Sequence, residues 1–289
     1  MNRHLLNLSW LALVLVTCGQ TEEPPLETTL VKIGELPPEL VEISGMTEYD
    51  GLLWGINDSG NEPVLFGFNS TTLQTEKKVV TGAPNTDWEE LAQDGDHFYI
   101  GDFGNNLGNR KDLSIYIIDK SDLASGKDTV NPSGMIRFTY EDQVDFSPAT
   151  EFNTPYDCEA FVVAGDSVLL FTKDWVTEHT TVYVIPSAPG SYTARIRYRA
   201  NVGGLVTAAD WDPESRELLL LGYADFSPFL LSVTGFDPAE PVFKKSRKVP
   251  FSEFFGAQTE AICRAADGSV LVSCEQSALV KSTLYRAQY

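Results

Sequence analysis

Along almost the whole chain, short apolar runs of Val, Ile, Leu, Tyr and Phe alternate with turns rich in Gly, Asp, Asn and Pro. Runs of that length, bounded by turn formers and lacking sustained helical periodicity, read as β-strands. Residues 251–256 are the one stretch that reads as a helical turn. The pattern predicts an all-β fold.

The runs recur in register. Each unit opens with a small or acidic stretch that starts a strand: Glu42-Ile43-Ser44-Gly45, Asp87-Trp88-Glu89-Glu90, Asp157-Cys158-Glu159-Ala160, Val206-Thr207-Ala208-Ala209 and Gln258-Thr259-Glu260-Ala261. About ten residues later comes a second, apolar strand, at 52–56, 98–100, 168–171, 218–221 and 270–272. A third strand carries a paired core at Leu65-Phe66, Ile115-Tyr116, Val182-Tyr183, Leu230-Leu231 and Leu284-Tyr285. Four units add a more polar fourth strand, at 76–80, 135–140, 194–200 and 242–249. In the third of these, Arg195, Arg197 and Arg199 alternate with Ile196 and Tyr198, as an outer edge with one wet face should.

The fifth unit stops after its third strand, and residues 28–33, ahead of the first unit, have strand character. Pairing the two closes a ring. Four-stranded units arranged radially are the blades of a β-propeller. The expected fold over residues 29–289 is therefore a propeller of five four-stranded blades, closed by an N-terminal strand. A sixth blade would require a degenerate repeat within 108–156, where no repeat start occurs. A β-sandwich would account for the strands but not for their recurrent register.

In a propeller the first strand of each blade lines the axis, and one hairpin turn returns the end of the second strand beside its start. The unit openings should therefore meet residues about 13–15 positions later: Ser44 with Asp58, Glu89 with Asp102, Glu159 with Lys173 and Asp174, Ala208 with Tyr223, and Glu260 with Glu275. Asp87, Asp157, Asp210 and Gln258 fall nearby, and Trp54, Trp88, Trp175 and Trp211 could edge the same face. The expectation is an axial pocket crowded with carboxylates around one cation, Lys173. Like charges that close raise one another's pKa unless neutralised. An all-oxygen ligand set suits Ca²⁺ or Mg²⁺ rather than zinc. Glu89, Asp102, Glu159 and Glu260 are the expected metal ligands, and Glu89, Glu159 and Glu260 are also the candidate catalytic carboxylates. Asp58, Asp87, Asp102, Asp157, Lys173, Tyr223 and Glu275 are expected around a bound ligand. Any one of these acids also has a structural reading, as a cap for backbone donors or a tie between blades. The tryptophans, likewise, serve core packing as readily as ligand contact.

Charge narrows the partners. A formal net charge of −20 repels phosphate backbones and argues against nucleic acid, while cations, cationic groups and neutral sugars remain suitable. Past the first residues the histidines are His97 and His179. His97 falls at the far end of its hairpin, so a Ser-His-Asp arrangement finds no base near the axis.

The chain opens with Arg3, an apolar run over 5–16 that is short for a membrane span, and Leu15-Val16-Thr17-Cys18. This end resembles a bacterial lipobox, with Thr17 where Gly, Ala or Ser is usual. It predicts a lipoprotein signal peptide over 1–18, lipidation of Cys18 and a polar tether over 19–28. The cell envelope would then be the location, with membrane contact through the anchor alone; ordinary secretion is the alternative. Of the other cysteines, Cys158, Cys263 and Cys274, the last two fall on neighbouring strands, which leaves a disulfide open to them.

Taken in order, Ile43-Ser44-Gly45, Asn57-Asp58-Ser59-Gly60, Asp87-Trp88-Glu89-Glu90, Gly101-Asp102-Phe103-Gly104-Asn105-Asn106, Asp157-Cys158-Glu159-Ala160 and Thr259-Glu260-Ala261 resemble secreted bacterial propeller proteins similar to the SdiA-regulated and phytase/esterase-like propeller families. In the phytase-like relatives an acidic axial face binds calcium and a phosphate ester. The resemblance implies the acidic face here, whereas Lys173 is the one basic residue expected on it. Three readings of function follow. The first is binding of a small-molecule or carbohydrate ligand, with Ca²⁺ or Mg²⁺, in the axial pocket. The second is hydrolysis, by metal-assisted phosphoester cleavage or by a glycosidase pair of carboxylates. The third is a protein-interaction scaffold using loops such as 141–156. The sequence leaves open whether the protein is an enzyme.

Overall fold

The computed structural model describes residues 28–289; the signal peptide, Cys18 and most of the tether lie outside the described residues. The chain enters through β1 (Thr29–Glu35). The first blade is β2 (Ile43–Tyr49), β3 (Leu52–Asn57), β4 (Val64–Phe68) and β5 (Thr75–Thr81). The second has β6 (Trp88–Gln93), β7 (His97–Asp102) and β8 (Ser114–Asp119), an insertion of helix α1 (Lys120–Ala124) and β9 (Thr129–Val130), and then β10 (Gly134–Tyr140). The third is β11 (Cys158–Ala164), β12 (Ser167–Thr172), β13 (His179–Pro186) and β14 (Gly190–Asn201). The fourth is β15 (Leu205–Asp212), β16 (Glu217–Ala224), β17 (Ser227–Thr234) and β18 (Ser246–Pro250). The fifth, β19 (Thr259–Arg264), β20 (Val270–Cys274) and β21 (Thr283–Gln288), takes β1 as its fourth strand, with Thr29 opposite Gln288. Inner strands β2, β6, β11, β15 and β19 touch in sequence, and β19 returns to β2. The ring is closed with five blades.

The apolar runs explain why the blades stack. A strand covered on both faces reads as a continuous apolar run, because successive side chains point to opposite sides. In β16, Leu218 and Leu220 pack into the core shared with the third blade, and Leu219 and Leu221 into the core shared with the fifth. Five such cores alternate with the blades around the ring. Burying one leucine side chain in such a core is worth roughly 1.5–3 kcal/mol.

Several details differ from the sequence reading. The fourth blade's outer strand starts at Ser246 rather than near Val242. β14 is not a free edge along its first half, because β10 pairs with it in parallel from Ile136–Gly190 to Tyr140–Ala194. Arg195 and Arg199, on the other half, pair with Glu141 and Asp142, each at 2.8 Å. β9 adds a fifth strand to the first blade by parallel pairing with β5. The helical turn expected near 251–256 is a 3₁₀ turn, Ser252–Phe254. Cys158, Cys263 and Cys274 are free thiols. Cys263 and Cys274 sit in different inter-blade cores, on opposite faces of their blade, so no disulfide joins them.

The inner strands approach closely beside Gly45. A Cβ there would collide with the Leu91 amide nitrogen and lie 2.7 Å from the Glu90 carbonyl carbon. Gly45→Ala should lower stability by roughly 1–3 kcal/mol, as over-packing against unyielding backbone does. Urea melting checks this; an unchanged midpoint would contradict the close approach.

Candidate ligand and metal site

One local feature recurs in all five blades. Early in each inner strand the register with the second strand skips one residue: Ser44, Glu89, Glu159, Thr207 and Glu260. A β-bulge leaves its extra residue unpaired and re-aims the side chain. Four of the five, Ser44, Glu89, Glu159 and Glu260, line a cavity of about 250 Å³ at the end of the axis. The residue just beyond the second strand's pairing partner faces the same space in four blades: Asp58, Lys173, Tyr223 and Glu275. Gln258, Trp175, Phe152 and Asn106 complete the wall.

The bulge accounts for the residues that sequence spacing misplaced. In the second blade Trp88 pairs with Asp102, so the equivalent position belongs to Phe103, which turns instead into the inter-blade core against Phe138 and Phe161. Asp102 points the other way. It accepts hydrogen bonds from Arg110 Nη2 at 2.8 Å and the Asp87 amide at 3.1 Å, and it does not line the cavity. In the fourth blade the bulged residue is Thr207 rather than Ala208, and its hydroxyl donates to the Thr259 carbonyl at 2.6 Å. Asp157 is fully buried and accepts from the Asn105 amide (2.7 Å) and Trp175 Nε1 (2.8 Å), anchoring the rim. Asp174 caps its own turn at Val176 and Thr177. Asp210 and Trp211 lie in a separate recess whose walls come from the other halves of the inner strands, where Asp210 pairs with Arg264 at 3.6 Å. Trp54 and Trp88 are fully buried in the core between the first two blades. Of the four tryptophans, only Trp175 reaches the cavity.

Asp58, Asp87 and Glu89 offer carboxylate oxygens within 4.8 Å of one another. Gly104 makes this approach feasible, since a Cβ there would strike Glu89 Oε1 and Asp87 Oδ2. The two nearby cations are engaged elsewhere: Arg110 with Asp102, and Lys173 with both oxygens of Glu159 at 2.6 and 2.7 Å. Burial works against the Lys173 ammonium, but Glu159 and Glu260 outweigh it and hold its pKa well above the usual value. Its Nζ also lies 4.8 Å and 5.1 Å from the ring centres of Trp175 and Tyr223. Among the described residues, the other acids here form no ion pair of their own, and nearby cations only partly offset their burial. Burial, reinforced by Asp58, pushes Asp87 to about 7 and Glu275 to about 7. Burial pushes Glu260 to about 8, opposed by Lys173 and reinforced by Glu275. Burial, then the charges of Glu159 and Asp58, holds Glu89 well above the carboxylate range.

Two residues outside the expected set matter. Arg110, in the loop after β7, supplies a second cation beside Asp87. No repeat motif marks it. Glu90, next to Glu89, is 1% exposed, and its Oε2 accepts from the Ala209 amide of the fourth blade at 3.0 Å. It thus ties two non-adjacent blades across the axis. Its pattern in sequence is identical to that of Glu89, and only the bulge separates their roles.

No protein-family model matches the chain, and no curated protein matches it in sequence. Among solved structures it is similar to a glucose dehydrogenase, with 9% identity, a TM-score of 0.51, and coverage of 89% of this chain and 98% of that one. It is also similar to Agrobacterium tumefaciens regucalcin, a calcium-binding protein, with 13% identity, a TM-score of 0.43, and coverage of 91% and 97%. A third likeness, to Kuenenia stuttgartiensis hydrazine synthase, has 11% identity and a TM-score of 0.42; it covers 91% of this chain but 61% of that one. The first of these supports the propeller fold and nothing finer.

The raised carboxyls make stability depend on pH. Between the ordinary values of 3.8–4.5 and the folded values of about 7 and 8, the native state binds more protons than the unfolded chain. Stability from these groups is therefore complete below that window and falls as pH rises through it. In chelator, Tm should decrease from pH 5 to pH 8, and Glu260→Gln should flatten the decrease. A Tm that rises over that range would contradict the electrostatics.

Proposed function

We propose that this chain is an exported β-propeller of the bacterial cell envelope. It binds a small ligand in the axial cavity together with a divalent cation, Ca²⁺ or Mg²⁺. The observation that carries the cation is the trio Asp58, Asp87 and Glu89, whose oxygens converge without a lysine or arginine ion pair of their own among the described residues. Hard oxygen donors suit Ca²⁺ or Mg²⁺. A divalent ion would relieve the mutual repulsion that now keeps their pKa values high. This set replaces Asp102, Glu159 and Glu260 as first choice, because Asp102 and Glu159 already hold cations and Glu260 stands away from the trio. The order of motifs supports kinship with the SdiA-regulated and phytase/esterase-like propellers.

Hydrolysis is the second reading. It is favoured by Glu260, a carboxyl that keeps its proton near neutrality in the cavity that two of the trio also line, the pattern expected of a general acid. The bland outcome, a binding protein without turnover, needs only the metal and the cavity.

At pH 8, saturating Ca²⁺ should raise Tm, by an amount equivalent to about 2.7 kcal/mol at a hundredfold excess over Kd. Asp58→Asn, Asp87→Asn and Glu89→Gln should abolish the shift, and Gly104→Ala should weaken it by crowding two of the donors. Absence of a shift with both Ca²⁺ and Mg²⁺ would remove the metal. For the anchor, metabolic labelling with palmitate should disappear in Cys18→Ala; labelling that persists would place the lipid elsewhere.

A further inference from the structure

We propose that the small ligand is an organic ammonium ion carrying an aryl or alkyl body. Its charged head enters the acidic cavity, and its body lies across an aromatic collar on the rim. The inference rests on reading the axial cavity as a ligand site, but not on the metal.

The cavity is built to receive something polar. Ser44 is 4% exposed, lines the cavity, and its hydroxyl has no hydrogen-bond partner in the protein. Buried polar groups are normally satisfied, so an orphan facing a cavity points to a partner that occupies it. Five carboxylates and one lysine line the space. Lys173 is already neutralised by Glu159. Even with a divalent ion on the trio, two ionisable carboxyls without an ion pair among the described residues, Glu260 and Glu275, share the wall with Tyr223 and Gln258. An anion entering there would meet carboxylates. A cation would meet carboxylates, which is favourable; Lys173 already occupies the faces of Trp175 and Tyr223, so the carboxylates provide the attraction.

Tyr223 and Gln258 also line a second, largely apolar recess of about 470 Å³, walled by Phe226, Phe255 and Leu279. The two spaces therefore adjoin at these two side chains. Phe226, Phe255 and Leu279 are 68%, 60% and 75% exposed, and the two phenyl rings meet edge-on at 6.1 Å. Exposed large apolar groups gathered at a cavity mouth mark a contact surface. The backbone adds an independent sign. Phe226 (φ +62°) and Phe152 (φ +59°) both occupy the left-handed region, which bulky side chains disfavour. Phe226 holds the second position of a two-residue hairpin loop, where Gly is preferred. Phe152, 51% exposed, lines the axial cavity and packs tilted against Trp175, with ring centres 4.7 Å apart. Two strained, exposed phenylalanines on one rim are costly to the fold, and a hydrophobic contact with a ligand gives them a use.

The test is calorimetric titration of the full mature chain, with and without Ca²⁺, using 4-phenylbutylammonium, 4-phenylbutyrate and n-propylammonium. The amine with the aryl body should bind at least about tenfold more tightly than the acid or the short amine. Phe226→Gly should weaken it about tenfold while leaving Tm equal or higher, because glycine suits that backbone. Phe255→Ser, at an exposed site, should weaken it similarly. Equal affinity for the acid and the amine, or full affinity in Phe226→Gly, overturns the proposal. Ca²⁺ titration of the same proteins separates the two readings. Discrimination among the probes without Ca²⁺ binding removes the metal and keeps the collar, whereas Ca²⁺ binding without discrimination removes the collar alone.

Discussion

Five strands that start at one face around one axis must bring their first side chains together. The bulge early in each inner strand sharpens this constraint. It frees one residue per blade from the pairing register and, in four of the blades, turns it into the axial cavity. The acidic site is thus a consequence of ring closure plus one repeated irregularity. Closure itself comes from β1 pairing with β21, which leaves no blade without its fourth strand.

That geometry sets two energies against each other. Five apolar cores between blades hold the ring, and they are indifferent to what stands at the axis. The axial acids lose hydration and repel one another, which disfavours their charged forms. Lys173 relieves Glu159, and Arg110 relieves Asp102. Glu90 solves the same problem differently: it is buried and accepts backbone hydrogen bonds from Ala209 across the ring and from its neighbour Leu91. Asp58, Asp87 and Glu89 form no ion pair with a lysine or arginine among the described residues, and this separates the trio proposed to take a cation from acids that hold the fold together.

Much of this was legible in the sequence. The recurrence of Ile43-Ser44-Gly45 and its four counterparts, with an apolar strand about ten residues on, located all five blades and their closure by residues 28–33. Convergence of Ser44, Asp58, Glu89, Glu159, Lys173, Tyr223, Glu260 and Glu275 followed from that repeat alone, and all eight line the cavity. Two of the errors share one cause. A bulge shifts side-chain alternation by one residue, and no residue type announces it. Asp102 therefore exchanged places with Phe103, and Ala208 with Thr207. Arg110 was invisible because it lies in an irregular loop, and the strained Phe152 and Phe226 because backbone angles are not written in composition. Trp54 and Trp88 misled for a simpler reason: aromatic residues of an inner or second strand can face a neighbouring blade as readily as the axis.

The central claim is that Asp58, Asp87 and Glu89 form a divalent-cation site at the axis. Anomalous diffraction from crystals grown with Mn²⁺ or a lanthanide in place of Ca²⁺ tests it most directly. The account predicts an anomalous peak bonded to those three carboxylates, lost in Glu89→Gln crystals. A clean map at the axis, or a peak held instead by Asp102 or by the Glu159–Lys173 pair, would contradict it.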